Sequence, residues 1–216
     1  MPFNHAIFMN ELRRRRGKIP QDLYDDMMAS IEAGLANAEA NASASPALQP
    51  RPSPSGKSGE EPPWIAVARS LMGTKEIVGP KHNQVILGWI KSLGGWFKDD
   101  ETPWCGTFVG FCMFKVGIER PVNWFRAKEW SSWGKPCQPS VGAVVVFARE
   151  GGGHVGFLVG QSADHYYVLG GNQSNAVNIM PIAKARAIAT RWPTSLALPV
   201  PFLPTMSGGV ISRNEA

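Results

Sequence analysis

Apolar positions along this chain follow two different rhythms. From the N-terminus to about residue 116 they recur at helical spacing, and from about residue 143 they form short β-branched runs. Leu23, Met27, Ile31 and Leu35 stand four apart, which predicts an amphipathic helix. Pro20 suits its start, and Asp22, Asp25 and Asp26 lie near its positive end. A shorter helix is expected before it, from about His5 to Arg16. "PWIAVARSLMG" and "NQVILGWIKSLGG" then show helical spacing again, each stopping at glycine. A third helix of the main domain is expected from Pro103 to about Val116, carrying Cys105 in its first turn. Its apolar residues Phe108, Val109 and Cys112 predict the buried stripe that anchors it.

After the turn "PSVG" the rhythm becomes that of strands. "AVVVFAR", "HVGFLVGQ", "HYYVLGG", "AVNIMPI" and "AIATRWP" are separated by Gly, Asn and Asp turns and predict an antiparallel meander. Helices first and strands afterwards define an α+β architecture, with the helices packed on one face of the sheet. The stretch from Ser43 to Pro63 is rich in Ser, Pro and Gly and reads as a linker. The expected organisation is a helical N-terminal segment over 1–42, a linker over 43–63, a main domain over 64–200 and a weakly ordered tail over 201–216.

Composition changes this picture little. A hydrophobic content of 44% with 18% charged residues allows a sizeable core. The net charge of +5 favours an anionic partner. No basic stripe interleaves with aromatics and no nucleic-acid-binding motif is present, so nucleic acid is not an expected partner. The run Arg13, Arg14, Arg15 and Arg16 could instead attract anionic outer-membrane or wall polymers. Eight tryptophans are many for this length, and Trp104, Trp124, Trp130 and Trp133 are candidates to line a substrate groove, Trp104 first. Three cysteines leave at least one thiol free, which fits synthesis in a reducing compartment. The N-terminus lacks the apolar core of a signal peptide, and no apolar run approaches the roughly 18 residues of a membrane span. A cytoplasmic origin followed by action elsewhere is therefore the expectation.

The chemistry is expected where a cysteine, a histidine and an amide converge. Cys105 has a helix N-terminus, which lowers a thiol pKa when an imidazole is also near. Of the four histidines, His154 opens a strand directly after "EGGG", with small residues leaving room around it. The next strand ends in "VLGGNQSN", where Asn172 or Gln173 could offer an amide oxygen to the imidazole. Alternation allows only one of them to face His154, and Asn172 is the first choice. "KDDE" stands just before Cys105 and reads as a solvated acidic turn, with Glu101 near the cleft. Asp99, Asp100 and Glu101 are a weak alternative as metal ligands, because the run lacks the spacing of a metal loop. No cofactor is expected.

The blocks "PWC…FV", "GGGHVGF" and "LGGNQSN…RWP" make the chain from about Trp64 to Pro193 resemble the CHAP and NlpC-type peptidoglycan hydrolases of the papain-like superfamily, in particular a phage-associated subgroup. The resemblance implies a papain-like domain acting on bacterial peptidoglycan, with Cys105 as nucleophile, His154 as general base and acid, and Asn172 as orienting residue. It implies cleavage of a stem-peptide amide through a thioester, in the periplasm or cell wall, by a monomer. Endolysin, secreted antibacterial effector and virion-associated hydrolase share this chemistry, and a non-catalytic wall-binding module would share the scaffold. Many CHAP domains carry glutamate two positions before the asparagine, where this chain has Gly170.

Overall fold

The computed structural model describes residues 61–209. The expectations for the two N-terminal helices, the run Arg13–Arg16, nearly all of the linker and the end of the tail fall outside those residues. Three α-helices lead the described chain: α1 (Pro63–Ser70), α2 (Gln84–Ser92) and α3 (Cys105–Lys115). A short 3-10 helix (Ala127–Ser131) precedes six strands, β1 (Lys135–Pro136), β2 (Val144–Arg149), β3 (Gly152–Gln161), β4 (His165–Gly170), β5 (Asn178–Ala183) and β6 (Ala187–Trp192).

Local chemistry explains the helix limits. Pro63 opens α1, where its missing N–H has no intrahelical partner to lose. The Asn83 side chain caps α2 by accepting from the Val85 N–H at 2.8 Å. That helix ends in a Schellman turn: Gly94 takes φ +74°, and the Gly95 N–H returns to the Ile90 carbonyl at 2.8 Å. α3 is apolar nearly all round. Phe108, Val109, Cys112 and Met113 are each fully buried, as expected of a central helix packed between α1, α2 and the sheet.

All strand pairings are antiparallel, and the sheet order is β1-β6-β2-β3-β4-β5. The fold is α+β, as the alternation of patterns predicts. The expected meander holds for β2 to β5, whereas β6 crosses back to the free edge of β2 and β1 pairs outside it. This return seals an apolar edge that a pure meander would expose. α1 is fixed to the sheet by the Trp64 indole N–H, which donates to the Gly142 carbonyl at 2.9 Å, and by its edge contact with Trp192.

The tryptophans mostly build the core. Trp104 and Trp130 are 0% exposed, so their rings cannot form the floor of an open groove, contrary to expectation, whereas Trp124, 6% exposed, reaches a surface cavity. Trp104 packs on Trp89, with ring centroids 6.0 Å apart. Burial is where a large apolar ring gains most, about 25 cal/mol per Å² removed from water. Among the described residues, no helix is long and apolar enough to cross a membrane.

Candidate active site

Cys105 is the first residue of α3 and lies at its N-terminus, as predicted. Pro103 stands before the helix, and Trp104 occupies the cap position without a side-chain cap. The backbone N–H of Val155 on β3, the residue after His154, favours the charged form of the sulfur. That N–H is available because the β3–β4 ladder runs only from Phe157↔Leu169 onward, so β3 projects beyond its neighbour. The helix N-terminus is thus docked against the overhanging part of the strand that carries the imidazole.

Burial pushes the Cys105 thiol above its ordinary value. The N–H groups of Val155, Gly106 and Cys105 itself, and the charge of Arg149, pull it back without overcoming burial. The lowering expected from the helix position is therefore corrected: the residue is only 5% exposed, and desolvation of a thiolate outweighs the local donors. Cys112 is fully buried and inert core, its thiol likewise pushed up by burial, whereas half-buried Cys137 is raised to about 11.

His154 is 1% exposed, and its Nε2 lies 3.1 Å from the side-chain oxygen of Gln173. The Gln173 amide nitrogen faces the carbonyl oxygens of Val168 (3.2 Å) and Asn178 (2.8 Å) and the Asn178 side-chain oxygen (2.9 Å). These partners only accept, so the amide NH2 must point to them and its oxygen must accept from the imidazole. His154 therefore carries a proton on Nε2, and Nδ1 is the nitrogen left to act as a base.

The contact expected of Asn172 is thus made by Gln173. Asn172 is 3% exposed with φ +55°, and its side-chain oxygen has no hydrogen-bond partner among the described residues. Asparagine tolerates this left-handed backbone better than most residues, and the bend turns the chain so that Gln173 reaches back over the sheet. Next comes a tight turn: Gln173 and Ala176 exchange backbone hydrogen bonds, and Ser174 and Asn175 both have positive φ. The segment Gly73–Glu76 braces it, through Gly73 N–H to Val177, Val177 N–H to Thr74 and Glu76 N–H to Asn175.

Gly170 explains the departure from the glutamate-bearing pattern. A Cβ there would stand 2.7 Å from the Gln173 oxygen and 3.2 Å from the His154 Nε2. The Gln173 side chain occupies the space that a side chain at 170 would fill. Gly170→Ala is expected to cut turnover about tenfold or more and to cost about 1–3 kcal/mol of stability. Steady-state kinetics and thermal melting check this, and wild-type turnover would refute the packing argument.

Arg149 was not singled out by sequence reading. It pairs with Gly152 at the β2–β3 hairpin, two residues along from the Phe147↔His154 pair. Cross-strand partners share a face and alternate residues share it too, so hairpin register alone puts Arg149 on the His154 face.

The acidic run is built differently from a solvated turn. Asp100 is 0% exposed and accepts from the N–H groups of Ile77 (2.9 Å) and Asn83 (2.7 Å), with the His82 ring 2.9 Å away. Asp99 accepts from the Thr102 N–H at 2.6 Å, and Glu101 from the Gly79 N–H at 3.0 Å. Each carboxylate serves a different N–H group, and among the described residues no set of His, Cys, Asp and Glu is grouped to hold a metal. The run ties the 77–83 loop to the segment entering α3, which fixes where Cys105 starts. Burial works to raise the Asp100 pKa, but the Ile77 and Asn83 N–H groups and His82 together leave it lowered. Asp100 hence stabilises the fold in full above the ordinary carboxylate value near 4. That contribution is lost as pH falls through the lowered folded value. Asp100→Asn is expected to cost about 2–4 kcal/mol at pH 7 and to remove part of the acid sensitivity below about pH 4. Chemical denaturation across pH measures both.

A cysteine at a helix start, with an amide-oriented histidine on the facing strand of an antiparallel sheet, is the arrangement of papain-like cysteine hydrolases. Residues 97–172 match the CHAP domain family. This is just over a third of the chain; it includes Cys105, Arg149 and His154 and stops one residue short of Gln173. No curated protein matches the chain.

Proposed function

We propose that this protein is a cysteine-dependent peptidoglycan hydrolase that cleaves an amide of the stem peptide. The observation that carries the reading is the buried His154–Gln173 pair on the sheet, against which the helix that starts at Cys105 is packed. The CHAP match over residues 97–172 supports the same substrate class.

In this reading His154 Nδ1 takes the thiol proton as Cys105 attacks the amide carbon, giving a tetrahedral oxyanion. The imidazolium returns the proton to the leaving amine, and a thioester remains. Water, activated by the same imidazole, then releases the carboxylate and the thiol. A raised thiol pKa makes proton transfer during attack, rather than a resting thiolate, the source of the nucleophile. The N–H groups at the start of α3, which have no acceptor within the helix, suit the oxyanion, one donor being worth about 2.7–4 kcal/mol. Gln173 holds the imidazole tautomer and stabilises its charged form.

The finer role proposed is that of a phage lytic enzyme, a monomer made in the host cytoplasm and acting on peptidoglycan beyond the membrane. An effector or virion-associated hydrolase would use the same steps. The deep burial of Cys105 favours one reading from another class, a wall-binding module without turnover. Mass spectrometry of purified sacculi after incubation decides between them. A new free alanine amine marks an amidase, fragments within the stem mark an endopeptidase, and no new ends would overturn the hydrolase reading.

A further inference from the structure

An open cavity of about 500 Å³ lies between the end of α2 and the segment following α3. Its lining includes Leu93, Gly94, Glu119, Arg120, Val122 and Trp124. Two charges of opposite sign share this cavity without pairing. Among the described residues neither Arg120 nor Glu119 forms an ion pair. Arg120 rests instead over the Phe114 ring, 5.3 Å from its centroid. Burial alone works against the Arg120 charge, lowering its pKa, with no carboxylate near enough to offset it. A half-buried guanidinium stays charged and gains most from a carboxylate partner that meets it in two parallel hydrogen bonds.

Leu93, Arg120 and Trp124 of the cavity wall pack against Gly110 of the helix that bears Cys105. Gly106 and Gly110 lie one turn apart on one face of α3. A Cβ on Gly106 would stand 2.5 Å from the Trp124 carbonyl oxygen. One on Gly110 would stand 3.5 Å from the Trp124 Cβ and 3.7 Å from the Arg120 Cδ. The 120–125 segment therefore runs along this face, from the turn that carries Cys105 to the cavity wall. Cys105 and Gly110 are separated by about 7.5 Å along the helix axis. That is the reach of about two residues of extended peptide.

We propose that this cavity binds a zwitterionic amino-acid end group of a stem peptide, Arg120 taking its carboxylate and Glu119 its ammonium. The proposal rests on the hydrolase reading for its substrate and names the specificity of that reading. A stem whose third residue is a diamino-dicarboxylic acid ends its side chain in both groups, whereas a lysine stem offers an ammonium alone. The cavity distinguishes the two through Arg120.

Calorimetric titration of the full chain carrying Cys105→Ala tests this. The probes are the tripeptide L-alanyl-γ-D-glutamyl-meso-diaminopimelate and its lysine counterpart. The diaminopimelate peptide is expected to bind at least about tenfold more tightly, two opposite charges recognising it where lysine meets one. Arg120→Gln should bring the two peptides within about twofold of each other, and Glu119→Gln should weaken both. Val122→Glu, at a position 92% exposed on the cavity rim, should reduce the preference without disturbing the fold. Equal binding of both peptides by the parent overturns the proposal, as does a preference that survives in a folded Arg120→Gln. Should Arg120→Gln fail to fold, an undiminished preference in Val122→Glu overturns it. Sacculus hydrolysis by the wild type is scored separately. Hydrolysis without peptide preference removes the cavity assignment alone, and Arg120-dependent binding without hydrolysis removes the catalytic reading alone.

Discussion

Cys105→Ser is expected to lower the formation of new ends on purified sacculi by at least about 10⁴-fold, with the melting temperature nearly unchanged. The oxygen is similar in size to the sulfur it replaces and fits the same buried position. Its proton is much harder to remove, and the resulting alkoxide would be formed in a site already hostile to charge. Because burial raises the thiol in the free protein, alkylation of wild-type Cys105 by iodoacetamide should still be accelerating at pH 8.5 instead of levelling near neutrality. Lysis by the serine variant at the wild-type rate would remove Cys105 from the mechanism. An alkylation plateau below pH 7 would show that the local donors and imidazole outweigh desolvation.

Gln173→Ala carries the second large effect, a fall in kcat of about 10²-fold or more. Removing the amide oxygen takes away the acceptor that faces the His154 Nε2 proton in a buried site and frees the ring to turn or change tautomer. Loss of an orienting group from a triad costs up to about 10⁴-fold where the wrong tautomer results. Gln173→Glu keeps an acceptor at the same reach. It should retain much of the activity and move the acidic limb of the rate profile to higher pH, since a carboxylate favours the charged imidazole. Asn172→Gly separates the neighbours, because glycine accepts φ +55° and the amide that is lost has an oxygen without a partner among the described residues. Its activity should stay within about fivefold of wild type. If Asn172→Gly proves as damaging as Gln173→Ala, the assignment of the orienting role to Gln173 fails.

Much of the architecture was legible in the chain because it depends on local pattern. Spacing placed α2 and α3, and the glycines after them sit where a left-handed residue closes each helix. The β-branched runs marked β2 to β6, and the three glycines before His154 marked the turn that leads into β3. The return of β6 to β2 was not legible, because strand order depends on which apolar edge remains to be covered. The tryptophans were equally ambiguous: a ring such as Trp104 reads alike in a core and in a groove, and only the packing of Trp89 beside it decides.

The acidic run shows the same division. Sequence identified the carboxylates, but Asp100 became a buried anchor because the 77–83 loop folds over it and presents two N–H groups. Sequence by itself determined the α+β order and the helix-start cysteine, since each follows from hydrophobic period and turn chemistry, and it placed His154 in a strand, which the structure begins two residues earlier, at Gly152. Tertiary structure decided that Gln173 rather than Asn172 meets the imidazole, and that burial raises the Cys105 thiol. Those outcomes depend on distances between residues far apart in the chain and on exclusion of water, neither of which any local run of residues encodes.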